Sequence, residues 1–465
     1  MVKIKFGTDG WRAIIADEYS VDNVCRVTAG TAAWMNKKGM QSVVIGHDCR
    51  FGGEMFLQVA AQVFVAHGIS VWYAKDFVST PMVSLGVVKL GADLGIVITA
   101  SHNPPSYNGY KLKSNYGGPS IPADIAAVEA LIPDHYDRSE LLAFEELIAS
   151  GQVKLAALED MYVAHAEASF DLNKIRNSGI RIAYDAMYGA GQRAMLRLLP
   201  EAVHIHCEYN PSFMGQAPEP IGKNLVEFSE LIKKEGNIGL GIANDGDADR
   251  IGLFDNKGEF VDSHHILLLL LYYLHEYKKL SGEVIVTFSV TDKMKKLADQ
   301  YGLTTEITKI GFKYIAEIMT QRDVLTGGEE SGGLAVKGHI PERDGIWIGL
   351  MIAEFMATTG KSLDQLINDI YDRVGSFYFD RDDLHITNEL KNEIIEKCQQ
   401  NHFNSFGDLQ ILSTENIDGF KFHLDNGRWI LIRPSGTEPV LRVYAQGTDK
   451  ADTRNMLDKV KAAIL

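Results

Sequence analysis

Residues 99–111 read TASHNPPSYNGYK and place Ser101, His102 and Lys111 on one short stretch, directly after the apolar run LGIVI. A strand-to-loop switch of this kind is where α/β domains hold ligands. Pro104 and Pro105 stiffen the turn and Asn108-Gly109 marks a second one, so the loop can hold one hydroxyl in position. Lys111 could neutralise a phosphate on that hydroxyl. The Ser101–His102 pair by itself says little, because neighbours on extended chain face opposite ways.

DGDADR, residues 245–250, ends the run IGLGIA and offers Asp245, Asp247 and Asp249. Three carboxylates so close repel one another unless a cation offsets them, and hard oxygen ligands favour Mg²⁺. Alternate spacing on extended chain would put all three on one side. Arg250 adds positive charge beside the metal, a combination that suits a phosphoryl group. TGGEESGG, residues 326–333, holds Glu329 and Ser331 in a glycine-rich loop. Acids would repel phosphate there, but carboxylate plus hydroxyl suits sugar hydroxyls, which need acceptors as well as donors. RPSGTEPVLR, residues 433–442, combines Arg433, Ser435, Gly436, Thr437 and Arg442, a set of guanidinium, hydroxyl and amide donors for a phosphate dianion. FGTDGWR places Arg12 after a glycine turn, and KIGFK and HIPERDG supply Lys309, Lys313, His339 and Arg343.

The elements that must carry these residues alternate strand and helix. SVVIG (42–46), ISVWYA (69–74) and LGIVIT (94–99) read as buried strands, separated by helices over 24–39 and 53–68 and one after Thr80-Pro81. A second unit of the same kind starts near 178, and a third runs from about 256 with strands EVIVTF, LTTEI and DVLTGG. VVIGHDCRFGGEMF and IRIAYDAMYGAGQR share one pattern: strand, acidic residue, glycine turn, helix. The tail alternates apolar and polar residues around an Asp-Asn-Gly turn at 425–427, with helices near 388–401 and 450–464. The expected fold class is therefore α/β: three similar mixed α/β/α sandwich domains, spanning 1–150, 151–254 and 255–370, and a smaller α+β domain over 371–465.

Composition narrows the function. With 46 Lys and Arg against 61 Asp and Glu, the formal charge is −15, which opposes nonspecific binding to nucleic acid or an anionic membrane. The apolar run ILLLLLYYL (266–274) is half a membrane span and is expected in a core helix. The start of the chain offers no apolar signal-peptide core, and the four cysteines form no C-x-x-C pair, so free thiols and a cytoplasmic location are expected. Neither a Walker loop nor G-x-G-x-x-G occurs, which speaks against a nucleotide.

Taken together and in order, TASHNPPSYNGYK, DGDADR, GEESGG and RPSGTEP resemble the α-D-phosphohexomutase family of phosphoglucomutases, phosphomannomutases and phosphoglucosamine mutases. The resemblance runs from Arg12 to Arg442. It implies three similar α/β domains and a smaller fourth around a central cleft. It also implies a phosphoserine at Ser101 and Mg²⁺ on Asp245, Asp247, Asp249 and an oxygen at Ser101. Arg250 would lie beside that phosphate, Glu329 and Ser331 would recognise the sugar, and the 433–442 loop would clamp the second phosphate. Arg12, His102, Lys111 and His339 complete the expected catalytic set, and Lys309, Lys313 and Arg343 the substrate-binding one. The substrate would be a hexose phosphate, glucose 1,6-bisphosphate the intermediate and activator, and the enzyme a monomer or homodimer.

Within the family, GEESGG, GFK and HIPERDG match the phosphoglucomutase pattern, whereas dual phosphomannomutases carry Glu-Met-Ser-Gly-His and G-H-S. The departures fall at Glu330, Gly333 and Phe312 and favour glucose phosphate; mannose phosphate stays open as the alternative, because the chain is shorter than the long phosphoglucomutases, and glucosamine phosphate is the less favoured one. Phosphoglucosamine mutases usually have Glu-Gln-Ser. Relatives often have a lysine general base where this chain has Arg343. Arginine keeps its proton, so Arg343 is expected to bind charge. The proton-transfer role then falls to His339, Lys111 or His102.

Overall fold

A computed structural model describes residues 2–435 and 440–465, so Gly436 and Thr437 lie outside the described residues. The chain divides into two units: 1–283 with 311–367, and 284–310 with 368–465.

The larger unit holds two mixed sheets. In the first, Leu94–Ile98, Ser42–His47, Ser70–Tyr73 and Val153–Leu155 run parallel, and Tyr107–Ser114 and Trp11–Ile14 join antiparallel at the Leu94 side. The parallel strands are the near-continuous apolar runs of the sequence, and Leu94–Ile98 is buried throughout. The helices Val21–Lys37 and Gly53–Ala66 pack against the core that contains Val24, Phe56, Ile45 and Ile96, the first of them buried nearly all round. Ser20 caps the first of them by accepting from the Asn23 amide at 3.3 Å. The second sheet follows the order Phe260–Val261, Ile251–Phe254, Leu240–Asn244, Ile182–Asp185, Val203–Ile205, with the last three parallel. Ile266 through Leu271 are fully buried in the helix Ser263–Tyr272, as the apolar run requires. The antiparallel pair Val324–Gly328 and Leu334–Val336 closes the TGGEESGG segment into a tight hairpin.

Both sheets of this unit present their chemistry at the carboxyl ends of parallel strands. Ser101 follows Leu94–Ile98, Asp48 and Arg50 follow Ser42–His47, and Asp245 follows Leu240–Asn244. That is the edge where α/β folds accommodate ligands, because the strand ends splay and the loops are free to carry polar side chains.

The smaller unit is built on an antiparallel sheet ordered Tyr378–His385, Val440–Gly447, Trp429–Pro434, Phe420–His423, Ser413–Glu415. Alternation sorts its faces. Ile430, Ile432, Leu441 and Val443 pack against the helices Asn388–Gln399 and Lys450–Ile464, while Trp429, Leu431 and Tyr444 pack with Phe288 on the other side. Asn426 and Gly427 take positive φ, 56° and 70°, in the turn before Trp429, the conformation that Asn-Gly supplies in tight hairpins.

Candidate active site

Ser101 occupies a left-handed backbone conformation, φ 53°, uncommon for a residue with a side chain. Its Oγ is buried and donates to Asp245 Oδ2 at 2.7 Å. The same turn corrects the expectation from alternation: it brings His102 Nδ1 to 3.3 Å from Ser101 Oγ, on the serine's side.

Asp245, Asp247 and Asp249 converge, each offering an oxygen within 4.8 Å of the others, and all three are fully buried. Extended-chain alternation is not the cause. The segment is a tight turn in which Ala248 takes φ 56° and its amide bonds to Asp245 O at 3.0 Å. The turn lies against the serine loop so closely that a Cβ on Gly246 would come within 2.5 Å of Ser101 O. Arg250 closes the segment, its amide donating to Asp245 Oδ1 at 3.0 Å.

The donor set fits a hard divalent cation. Asp247 Oδ1 and Asp249 Oδ1 are buried without a hydrogen-bond partner, a state rare for polar atoms in folded proteins and one that an ion or a water relieves. Burial and the repulsion of Asp247 and Asp249 push the Asp245 carboxyl well above the usual carboxylate range. A cation of charge two would reverse that shift.

Around the triad stands a buried ring of charge. Lys111 Nζ lies 2.7 Å from Asp247, 3.0 Å from Asp249 and 2.8 Å from Asp9. Burial alone would lower its proton affinity, but Asp247, Asp249 and Asp9 outweigh it and hold the amine charged. Arg343 bonds Asp249 at 2.7 Å and also Asp9, and its Nη1 comes within 3.9 Å of Glu329. Its guanidinium is thus surrounded by the protein's own carboxylates. Arg12 bonds Asn103 Oδ1 at 2.7 Å and so touches the serine loop.

Glu329 is buried at the hairpin tip, where its amide bonds to Gly333 O at 3.0 Å. Burial raises its carboxyl to about 7, against the lowering effect of Arg343. The hairpin joins the metal turn directly, through the Ile251 amide to Gly332 O at 3.2 Å. Ser331 is half-buried beside it, and Lys313 is half-buried on the helix that begins at Phe312.

His339 is placed otherwise than expected. Its ring stacks on Trp347 at 3.8 Å, and Nε2 bonds Asp344, the residue that caps the helix Gly345–Thr359, at 2.9 Å. Its other nitrogen faces His165 at 3.3 Å. These contacts hold the turn that carries Arg343; among the described residues, none of them joins His339 to Ser101 or the triad.

In the smaller unit, Arg433 and Arg442 are direct cross-strand partners, with Asp383 opposite Arg442 on the next strand. Two guanidinium groups in register repel, and Asp418 and Asp383 face them at 3.2 and 3.7 Å. An anion between them would be well received. Ser435 is buried at the strand end and Lys309 is exposed.

Sequence reading missed Asp9, Thr80 and the pair Asp48–Arg50. Asp9 sat visibly in FGTDGWR, but its partners Lys111 and Arg343 are remote in sequence. Thr80, beside Pro81 at a helix start, donates its hydroxyl to Asp247. HDCR after a strand was readable only as a repeat pattern.

Successive segments match the phosphoglucomutase/phosphomannomutase family: alpha/beta/alpha domain I over 3–138, domain II over 160–258, domain III over 262–374 and the C-terminal domain over 388–463. The chain belongs to the α-D-phosphohexomutases. The crystal structure of a Thermus thermophilus protein assigned to the phosphomannomutases superposes with a TM-score of 0.87 at 30% identity, covering 100% of this chain and 99% of that one. A phosphoglucosamine mutase of Methanococcus vannielii is 29% identical, covering 97% of each chain. A phosphoglucomutase/phosphomannomutase of Thermococcus kodakarensis is 27% identical over 97% of this chain and 96% of its own. This phosphohexomutase is therefore an enzyme, an intramolecular phosphotransferase whose buried aspartate triad suits magnesium. None of its described helices is long and apolar enough to cross a membrane.

Proposed function

We propose that this phosphohexomutase interconverts α-D-glucose 1-phosphate and glucose 6-phosphate through a phosphoserine at Ser101 and glucose 1,6-bisphosphate. The observation that carries the reading is the buried Ser101 hydroxyl bonded at 2.7 Å to a carboxylate triad with two orphaned oxygens. Asp245, Asp247 and Asp249, with an oxygen on Ser101, would hold Mg²⁺, which supplies charge withdrawal from the phosphoryl oxygens.

Phosphorylated Ser101 gives up its phosphoryl group to the 6-hydroxyl of a bound 1-phosphate: the Oγ–P bond breaks and a P–O6 bond forms. After the bisphosphate turns over, Ser101 Oγ takes the phosphoryl group from O1. Arg250, Arg12 and Lys111 stabilise the transferring charge. Of the three candidates for the proton, Lys111 is already charged and His339 is committed to Asp344. His102 is within reach of Ser101 Oγ, and burial together with Arg250, Arg12, Lys111 and Arg50 keeps it neutral. It can take the sugar proton late in the transfer and release it readily. Glu329, Ser331 and Lys313 are assigned to the sugar; in the smaller unit Lys309 is assigned to substrate binding, and Arg433, Arg442 and Ser435 to the phosphate that is not reacting. Gly436 and Thr437 are assigned to that second set on sequence alone.

Two features support glucose over mannose. Glu329 and Glu330 stand where the dual pattern has Glu-Met. A side chain at Gly333, histidine in that pattern, would start 3.1 Å from Arg343 Cγ and closer still to its Cδ, and so would displace Arg343. The amino sugar is the second reading, favoured by relatives named phosphoglucosamine mutase at similar identity. A coupled assay with Mg²⁺ and bisphosphate activator, comparing glucose, glucosamine and mannose 1-phosphates, decides. Glucose 1-phosphate is expected to give the highest kcat/KM, and a glucosamine preference would overturn the sugar assignment.

Glu329 gives the reading a pH signature. As a sugar acceptor it works ionised, so kcat/KM is expected to rise as pH passes about 7. Glu329→Gln should lose that limb. Stability runs the opposite way. Between pH 4.5 and about 7 the folded protein holds a proton here that the unfolded chain has lost, so stability falls across that window, by about 3 kcal/mol at most. Thermal unfolding at pH 5 and pH 8 should show Glu329→Gln stabilised relative to wild type only at the higher pH.

A further inference from the structure

The Ser101 peptide units are tied on both sides to one buried ion pair that touches no position assigned to substrate. The Ser101 amide donates to Thr99 Oγ1 at 2.9 Å, and the Thr99 hydroxyl donates to Asp48 Oδ2 at 2.5 Å. Asp48 Oδ2 faces Arg50 Nε at 3.3 Å, and Arg50 Nη2 donates back to Ser101 O at 2.6 Å. The circuit is closed, and only the Cα–Cβ torsion of Ser101 stays outside it.

Arg50 does more than close the loop. The residue is 1% exposed, and its guanidinium also donates to Asn103 O at 2.6 Å, Pro104 O at 2.8 Å and Tyr107 O at 3.0 Å. Four main-chain carbonyls of the serine loop thus converge on one planar fork. Phe213 covers it, ring centroid 5.1 Å from the guanidinium carbon. Asp48 Oδ1 accepts the Arg50 amide at 2.9 Å, which orients the pair. A lone buried cation would be costly, and a core arginine used only for packing would have no need of four carbonyls from one loop. The left-handed Ser101 backbone also needs support, since such strain persists only where the surroundings over-determine it.

We propose that Arg50 and Asp48 are positioning residues for phosphoryl transfer, holding the Ser101 backbone so that its Cα–Cβ bond places Oγ within reach of Asp245 and the incoming phosphorus. The proposal rests on Ser101 being the phosphoryl carrier. Transfer out and transfer back both need in-line geometry at the same oxygen, and a displacement of about 1 Å costs about 10²-fold. Lysine at 50 keeps the charge but is a point donor that cannot serve four carbonyls in a plane.

The test compares Arg50→Lys, Asp48→Asn, the pair combined, and Thr99→Val, which removes only the amide arm. Each is assayed for kcat, KM and rate of transfer from phosphorylated protein to glucose 1-phosphate, with phosphate at Ser101 measured in the wild type alongside. The expected result is a fall of about 10²-fold in kcat and in the transfer rate for Arg50→Lys, with KM within about threefold. Thr99→Val should show a smaller loss of the same kind, and the double variant should be no worse than its poorer parent. If Arg50→Lys does not fold, Thr99→Val and its kcat–KM split decide. Folded variants with kcat within about twofold of wild type, or a loss confined to KM, overturn the positioning role. Absence of phosphate from wild-type Ser101 would instead overturn the parent reading.

Discussion

Ser101→Ala is expected to lower kcat for glucose 1-phosphate by about 10⁴-fold or more, while the protein stays folded. Among the described residues Ser101 Oγ bonds Asp245 and His102, at 2.7 and 3.3 Å, so its removal unties no structural link of the loop. The main-chain ties to Thr99 and Arg50 remain. The loss therefore reports chemistry. Glucose 1,6-bisphosphate added to wild type should raise activity by rephosphorylating Ser101, and should do nothing for the alanine variant. Circular dichroism and the unfolding midpoint check that the fold is unchanged.

Asp247→Asn is expected to cost about 10³-fold in kcat at saturating Mg²⁺. Asp247 is fully buried, with Oδ2 accepting from Lys111 at 2.7 Å and from Thr80, and Oδ1 without a partner. An asparagine would turn an amide N–H₂ either toward the Lys111 ammonium or into the position left for the cation. Both orientations are unfavourable. Chelator-treated wild type should be inactive and regain activity when Mg²⁺ is returned, whereas Asp247→Asn should not. Calorimetric titration with Mg²⁺ measures the lost affinity directly. Activity of the variant near that of wild type would remove the triad from the mechanism.

Much of this arrangement could be read along the chain. Strand and helix periods located the elements of both units within a few residues, because buried parallel strands are apolar throughout and helix ends carry Gly39, Gly68 and similar stops. Ser101, the three aspartates and Glu329 announced themselves as polar residues set against apolar runs. What failed was geometry that depends on a turn. Alternation predicted the aspartate convergence for the wrong reason, since Ala248 and Ser101 both take positive φ and break the extended pattern. The same turn brought His102 to the serine's side. His339 looked catalytic because it precedes Arg343 in HIPERDG, yet its partners, His165 and Trp347, sit on helices whose packing no local spacing reports. Asp9 and Arg50 were invisible for a related reason. A buried charge is recognised by its partners, and those of Asp9 include a residue 334 positions away.

The most direct measurement is to incubate the purified protein with glucose 1-phosphate carrying labelled phosphorus, digest it and locate the label. The account predicts label on the peptide containing Ser101, at up to one phosphoryl group per chain, and its departure onto sugar when unlabelled glucose 6-phosphate is added. Rapid interconversion of the two sugar phosphates with no label ever reaching the polypeptide would contradict it.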